Sequence, residues 1–418
     1  MSFITTASRM WLTRSFSPFT FTAGGSDFID FTNLESLGLY VHIPFCKKIC
    51  SFCPYCKQVY DSNLMNDYVD ALKKEIQKVG EMNGGNKKRT TSLYFGGGTP
   101  ALAADRIGEI ISELEKYFEI TEGVGLELHP DNVTEETLQK LKSAGVSKIS
   151  IGIQSFNEKY LSVLGRDSFD YSKMFETLKK VPFETVSMDF IFALPDQTFE
   201  DLKSDISKAF ECGANHVAIY PFIDFSFAKN SVKPMSKNEK HRLLDEITDW
   251  CTEKGFRRDS IWTFSNDKTA KYSSMTRENF LGFGCSATTL VRHQFKVNTF
   301  SVKEYINCIE KKVLPTSLTI NFSERKRMCY WLFWTLYTTR LNPADFERFF
   351  GKKLKYKYGV EFEFARLFGF LRKENGVYVL TKKGCFYYHH YENYYTLSYI
   401  DKMWGLMRTT PFPDGMKL

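Results

Sequence analysis

The sequence predicts an α/β fold: a curved, mostly parallel sheet followed by a smaller C-terminal α+β unit. Three observations carry the prediction. From Leu37 to Tyr220, strand-like and helix-like segments alternate through six βα units. One segment, Thr185–Phe192, is largely apolar along its length, as a parallel strand covered on both faces must be. After Phe225 the alternation stops, and residues 321–397 read as helices with a hairpin. Right-handed crossovers leave two closures for such units, a doubly wound sheet or part of a barrel. In both, the chemistry lies at the C-terminal strand ends.

The elements follow in order. Gly38–Ile43 is the first strand. Asp61 or Ser62 can cap a helix running to about Val79, because Leu64, Tyr68, Leu72 and Ile76 recur at helical spacing. Thr91–Phe95 is the second strand and runs into Gly96-Gly97-Gly98-Thr99-Pro100; a helix from about Ala104 to Tyr117 follows. Val124–Leu128 is the third strand, with a helix over about Thr134–Ala144. Ser147–Ile153 and Thr185–Phe192 are the fourth and fifth, and a helix over about Phe199–Cys212 leads to the sixth, His216–Tyr220. Beyond these, residues 238–254 read as a helix, and 280–287 contain a Gly-Phe-Gly turn. Val377–Thr381 followed by Lys382-Lys383-Gly384 suggests a wing. The expected division is an arm over 1–36, a core over 37–225, a connecting region over 226–320 and the C-terminal unit over 321–418.

Composition narrows the function. Of 418 residues, 43% are hydrophobic and 25% charged, which suits a large globular core. No apolar run approaches the roughly 20 residues of a membrane span. The net charge of +7 is dispersed and no nucleic-acid motif accompanies it, so no nucleic-acid partner is expected, whereas an anionic small substrate is compatible. The ten cysteines lack the even spacing of a secreted disulfide framework, which points to reducing, cytoplasmic conditions. The first 25 residues carry Arg9, Arg14, many hydroxyls and no acid before Asp27, as a mitochondrial presequence would. With no clear processing site after them, they are read as an arm, loose or packed over the active site.

Four of the cysteines crowd one short stretch: Cys46, Cys50, Cys53 and Cys56. The first three have the spacing C-x3-C-x2-C. Thiols so close in sequence wrap a small metal centre more readily than they pair as disulfides. Two centres compete. A zinc ion would use all four thiols, although zinc sites usually split their ligands into two separated pairs. A [4Fe–4S] cluster held by three thiolates would leave one iron open to a ligand. Phe52 and Tyr55 would shield such a cluster, and Tyr40 lies on the strand leading into the loop.

Other polar groups gather at the same strand ends. The Gly96–Gly98 turn lets backbone groups approach a ligand, but lacks the pattern of a dinucleotide fingerprint and the lysine of a phosphate loop. Glu127 ends the third strand, where a carboxylate suits ribose hydroxyls. Gln154 ends the fourth. Arg166 can hold a carboxylate through paired hydrogen bonds. Asp189 lies inside an apolar strand and so needs a partner: it is functional or paired with a base. His42 and His129, each near a proline, read as structural. The aromatic runs 330–337 and 386–395 read as core; a flat macrocycle ligated by His389 or His390 is the alternative.

Taken together, Tyr40-Val-His-Ile-Pro-Phe-Cys-x3-Cys-x2-Cys, Phe95-Gly-Gly-Gly-Thr-Pro, Glu127-x2-Pro130, Ile151-Gly-Ile-Gln-Ser-Phe and Asp189 with Leu194-Pro-Asp-Gln-Thr resemble a known family. The chain is similar to radical S-adenosylmethionine (SAM) proteins of the oxygen-independent coproporphyrinogen III oxidase-like family. The similarity is strong over Leu37–Tyr220 and weaker over 280–287 and the C-terminal unit. It implies a partial (β/α)6 barrel with a C-terminal winged-helix-like domain. It implies that Cys46, Cys50 and Cys53 hold a [4Fe–4S] cluster, and that Tyr40, Phe52, Gly97, Gly98, Thr99, Glu127, Gln154, Arg166 and Asp189 surround SAM. The implied chemistry is reductive cleavage of SAM to a 5′-deoxyadenosyl radical, fed by a reductant such as flavodoxin or ferredoxin, on a tetrapyrrole or another flat aromatic substrate. Oxidative decarboxylation is the family's usual reaction. Methyl transfer using two SAM molecules and haem trafficking without catalysis also occur in it. One departure is plain: the family's fourth cysteine stands two places after the third, whereas Cys56 stands three after Cys53.

Overall fold

The fold is given by a computed structural model, which describes residues 3–84, 86–228, 230, 232–266, 269 and 278–418. A 14-stranded sheet forms its spine. In chain order its strands are β1 (Thr20–Ala23), β2 (Gly38–Ile43), β3 (Leu93–Gly97), β4 (Val124–Leu128), β5 (Val146–Gln154), β6 (Thr185–Phe192), β7 (His216–Pro221), β8 (Arg257–Arg258), β9 (Thr263–Ser265), β10 (Phe280–Phe283), β11 (Thr288–Val291), β12 (Gln294–Asn298), β13 (Thr316–Asn321) and β14 (Gly415–Lys417). Across the sheet they run β8-β9-β7-β6-β5-β4-β3-β2-β10-β11-β12-β13-β1-β14.

The order of the parallel strands decides between the two closures. β2 to β7 lie side by side in chain order, each parallel to the next. A doubly wound sheet reverses direction at a switch point; β2 to β7 never do, so their winding is that of a barrel wall. The crossover helices, among them Ser62–Glu81, Ala104–Glu115, Glu135–Ser143 and Phe199–Glu211, start on capping side chains in three of these four cases. Asp61 caps the first, as expected. Thr198 and Asp201 form a reciprocal capping box on the last.

The parallel sheet extends beyond the six expected strands. Phe280–Phe283 is a seventh parallel strand, paired with β2 on its free side, and the antiparallel β11–β13 continue the sheet beyond it. The Gly-Phe-Gly segment is therefore strand as far as Phe283, and the turn comes at Gly284 (φ +99°). The N-terminal arm is not loose. Phe3–Thr13 is a helix packed on the helices Glu324–Leu336 and Lys382–Tyr395, Arg14 pairs with Glu361 at 2.7 Å, and β1 sits between β13 and β14. Thus the segment whose composition resembles a presequence is woven into the fold, and the sheet draws strands from both ends of the chain.

The C-terminal unit has its own apolar core, including Trp331, Leu341, Phe346, Tyr358 and Phe362. Three helices, Glu324–Leu336, Pro343–Phe350 and Leu354–Leu367, precede a hairpin of Leu371–Glu374 with Val377–Leu380. The wing is this hairpin, turning at Asn375-Gly376. Lys382-Lys383-Gly384 instead opens a helix, Lys382–Tyr395, capped by Thr381. Phe333 packs against Tyr388 and Tyr395, each at 5.2 Å, so the two aromatic runs fill one another's space as core. Among the described residues no helix is long and apolar enough to cross a membrane.

One buried carboxyl joins the first crossover helix to the loop after β10. Glu75, 2% exposed, accepts hydrogen bonds from Gly284 N at 2.7 Å, Tyr305 Oη at 2.6 Å and Asn298 Nδ2 at 3.1 Å. Burial raises its pKa to about 7. Glu75→Ala strands three donors in the interior, at about 1–3 kcal/mol for each group left unsatisfied. Urea unfolding is expected to show a loss of about 3 kcal/mol or more for Glu75→Ala and clearly less for Glu75→Gln, which keeps an acceptor. Equal losses would contradict the account.

Candidate functional site

The site lies where strand geometry places it, at the C-terminal ends of β2 to β6. After β2 the chain turns at Pro44 and enters the cysteine loop. Held by its own polar groups, the loop has a fixed shape. Lys57 Nζ donates to the carbonyls of Cys50 (3.0 Å) and Cys53 (2.6 Å), Ser51 Oγ donates to Leu164 O at 3.2 Å, and Arg408 donates to the carbonyls of Pro54 and Tyr55. The loop is thus gripped from both the barrel and the C-terminal helix Asp401–Thr409.

Cys46, Cys50 and Cys53 are free, partly buried thiols. Burial pushes the Cys46 thiol up to about 11 and raises that of Cys53. Cys46 Sγ also lies 3.8 Å from Thr99 Oγ1. The spread of the donors bears on the choice of metal. A tetrahedral zinc needs its sulfurs about 3.8 Å apart, given bonds of about 2.3 Å. Among the described residues, however, the one set of three His, Cys or acidic ligand atoms lying within 4.8 Å of one another is His42, Cys56 and Cys285, not the three loop thiols. The three loop thiols do not close on one point to that degree, and a cubane, in which each thiolate binds a different iron, would not require them to. Cys56 points away from it, into the interior.

The glycine turn closes on the loop from the side of β3. Gly98 N donates to Ile43 O and Thr99 N to Phe45 O, both at 2.8 Å. Gly97 adopts φ +121°, and its N–H donates to Glu127 Oε2 at 3.1 Å. Glu127 Oε1 accepts from Tyr94 Oη at 3.1 Å. A side chain on Gly96 would lie 3.1 Å from both Glu127 Oε1 and the Tyr40 hydroxyl, so these groups line one small space. Tyr40 Oη is also 3.0 Å from His42 Nδ1.

The opposite wall comes from β5 and β6. Gln154 ends β5 with φ +70° and lies over Gly152, and Arg166 Nη1 donates to Gly152 O at 2.6 Å. That bond ties down one guanidinium nitrogen, while His129 stands nearby, lowered to about 4 by burial and the Arg166 charge. Asp189 does have partners, but they are hydroxyls. Ser150 Oγ lies 2.9 and 2.8 Å from its two oxygens, and Ser187 Oγ lies 3.1 Å away. Of the two readings, functional or paired with a base, the second is not what these bonds show: hydroxyl donors satisfy a carboxyl without fixing its charge. Phe52 packs toward the apolar group of Tyr160, Leu164, Ile191, Leu194 and Phe222, below the loop.

The structure therefore brings together Tyr40, Gly97, Gly98, Thr99 and Glu127, with Gln154, Arg166 and Asp189 on the facing wall. Residues that the sequence reading missed are Lys57, Tyr94, Ser150 and Arg408. Lys57 alone carried a signal, as a cation next to the cysteine loop. The proposed haem ligands are deep inside: His389 is 0% exposed, and its Nδ1 accepts from Trp262 Nε1 at 3.1 Å.

The electrostatics give a testable pH dependence. Burial, with a contribution from the Asp189 charge, lifts Glu127 from an ordinary 4.5 to about 7. Burial lifts Asp189 from 3.8 to about 6 against its hydroxyl hydrogen bonds. The folded chain therefore holds these protons more tightly than the unfolded chain. Their contribution to stability is fully present below pH 4 and is lost as pH rises through 6 and 7. Thermal melts of the ligand-free chain at pH 5 and pH 8 are expected to show a smaller decline for Glu127→Gln than for the parent. Parallel declines would contradict these shifts.

Comparisons with known proteins bear on the family and the fold. Residues 40–209 match the family described as the radical SAM superfamily. The heme chaperone HemW of Bacillus subtilis is 28% identical over 292 residues, covering 66% of this chain and 76% of the relative. The oxygen-independent coproporphyrinogen III oxidase of Cereibacter sphaeroides is 28% identical over 307 residues, covering 67% and 68%. Among solved structures, coproporphyrinogen III oxidase (HemN) from Escherichia coli shares the fold, with a TM-score of 0.73 at 21% identity over 86% of this chain and 88% of that one. The match makes residues 40–209 a radical SAM domain. Its relatives are heme chaperones and oxygen-independent coproporphyrinogen III oxidases, and the cofactors that go with the domain are a [4Fe–4S] cluster and SAM.

Proposed function

We propose that the chain is an enzyme that uses SAM as a radical source and acts on a tetrapyrrole, with oxidative decarboxylation as the reaction. The observation that carries the reading is the convergence of the Cys46–Cys53 loop, the Gly96–Gly98 turn and the carboxyls of Glu127 and Asp189 on one barrel mouth. Cys46, Cys50 and Cys53 would hold the cluster. Bound there, the cluster would supply the electron for reductive cleavage of SAM.

The protein's part is placement. The carbonyls of the Gly96–Gly98 turn would meet the methionine end of the cofactor, since glycine lets the backbone approach a ligand closely. Glu127, its Oε2 oriented by Gly97 N, would accept ribose hydroxyls. Asp189 would face the cofactor from β6. A cationic sulfonium in this mouth favours the ionised forms of both acids. Arg166 and Lys47, both close enough to depress His129, would meet substrate carboxylates at the rim.

A second reading, haem delivery without catalysis, is favoured by the similarity to HemW over three quarters of that protein's length. One experiment separates the two. The anaerobically reconstituted chain is incubated with SAM, a reductant and coproporphyrinogen III, and products are analysed by mass. The enzyme reading expects 5′-deoxyadenosine together with porphyrinogen products lighter by the loss of carbon dioxide and hydrogen. Stable haem binding, with no SAM cleavage under any reductant, would overturn it. S-Adenosylhomocysteine formed alongside 5′-deoxyadenosine would redirect it to methyl transfer.

A further inference from the structure

The geometry points to a second metal site, separate from the cluster, formed by His42, Cys56 and Cys285 and suited to a soft divalent ion of the zinc class. Three distant parts of the chain supply it. His42 lies on β2, Cys56 ends the cysteine loop, and Cys285 follows the turn after β10. One ligand atom from each lies within 4.8 Å of the others, and the residues are 3%, 6% and 0% exposed.

The sulfur spacing selects the chemistry. Cys56 Sγ and Cys285 Sγ are 3.9 Å apart. That is nearly twice a disulfide bond of about 2.05 Å. It is close to the roughly 3.8 Å between two sulfurs on a tetrahedral zinc. Two thiolates and an imidazole are a soft set, which excludes magnesium and calcium as natural occupants. The imidazole is already oriented. Tyr40 Oη takes Nδ1, and Nε2 faces the Cys56 carbonyl at 3.2 Å, a contact that the metal would replace. Phe300 O accepts from Cys56 Sγ at 3.1 Å, a bond the ion would replace, and a water would complete the tetrahedron.

The surroundings are built as firmly as the donors. Tyr68 Oη donates to His42 O at 2.7 Å, accepts from Cys285 N at 2.9 Å, and lies 3.7 Å from Cys285 Sγ. Gly284, the residue before Cys285, has φ +99°, and a side chain there would come within 2.7 Å of His42 O. Glu75 holds its N–H. Binding replaces the two thiol protons with the ion and releases them to solvent, so no oxidant or reductant is needed. The bound ion would pin the exit of the cysteine loop to β2 and β10. It would also keep Cys56 from reaching the cluster, which accounts for three cluster ligands in a loop that carries four cysteines.

The test removes the cluster first, so its result does not depend on the proposed function. Full-length chain carrying Cys46→Ser, Cys50→Ser and Cys53→Ser is stripped with chelator and titrated with Co2+ as the probe. One equivalent is expected to bind with tetrahedral d–d bands and thiolate charge-transfer absorption, and Zn2+ is expected to displace it. Adding Cys285→Ser, or Cys56→Ser as the independent second variant, is expected to cut the charge-transfer intensity by about half and to weaken binding about tenfold or more. Circular dichroism confirms that each variant is folded. No cobalt chromophore, a chromophore unchanged in both variants, or an intact mass showing Cys56 joined to Cys285 as a disulfide would each overturn the proposal.

Discussion

Cys53→Ala is expected to abolish iron loading and all reductive cleavage of SAM, while Cys56→Ala keeps both. The two residues sit three apart in one loop, so composition alone would give them equal weight. Their environments differ. Cys53 is on the loop, its carbonyl held by Lys57, outside the one compact donor set found among the described residues. Cys56 is turned inward against Cys285 and the Phe300 carbonyl. With two thiolates a cubane loses a corner, and iron content should fall from about four per chain to near background. Because chemistry needs the cluster, 5′-deoxyadenosine should fall with it. Cys56→Ala should retain the iron and lose only the second, cobalt-binding site. Loss of iron in Cys56→Ala would show that the three-ligand assignment is wrong.

Gly98→Ala is expected to damage the site without touching a ligand. A Cβ there would lie 2.6 Å from Phe45 O and from the Pro44 carbonyl carbon, both backbone atoms. Neither can swing aside, because Gly98 N and Thr99 N are bonded to the same segment at 2.8 Å. The turn must move off the strand that delivers Cys46. Overpacking of this kind costs about 1–3 kcal/mol. Cluster loading and SAM affinity should fall together, read as iron per chain and by equilibrium binding. Gly108→Ala is the control. It lies in the helix Ala104–Glu115, where the new Cβ would meet only Ala144 Cβ at 3.6 Å, so it should leave the site unchanged and stabilise the helix by up to about 1 kcal/mol. Equal iron loading in the two variants would contradict the close packing.

The parallel core was legible because local and global signals coincide there. β2, β4 and β6 fall on the expected bounds because apolar and β-branched residues dominate each of them. β10 was missed for the opposite reason. It is four residues long and contains Gly282, whose missing side chain lets the backbone lie against Thr288. In sequence, a glycine of close approach looks like a glycine of a turn. Gly384 misled in the same way: it reads as the tip of a wing, but it sits in a helix where a side chain would overlap the Phe370 carbonyl.

For the site, residue types were legible and partners were not. Asp189 announced that it needed a donor. That the donors would be Ser150 on the neighbouring strand and Ser187 on its own depends on strand register, which no single segment encodes. The grip of Arg408 on the cysteine loop spans most of the chain and had no local signal. The pairing of Cys56 with Cys285 is likewise non-local, and only the fold shows that the fourth loop cysteine belongs elsewhere.

The most direct test of the central claim is the paramagnetic resonance spectrum of the anaerobically reconstituted, reduced chain, recorded before and after SAM is added. The account predicts the signal of a reduced [4Fe–4S] cluster whose shape changes when SAM occupies the open iron, and no such signal from Cys53→Ala. Zinc in the cysteine loop in place of iron, or an iron–sulfur signal indifferent to SAM, would contradict it.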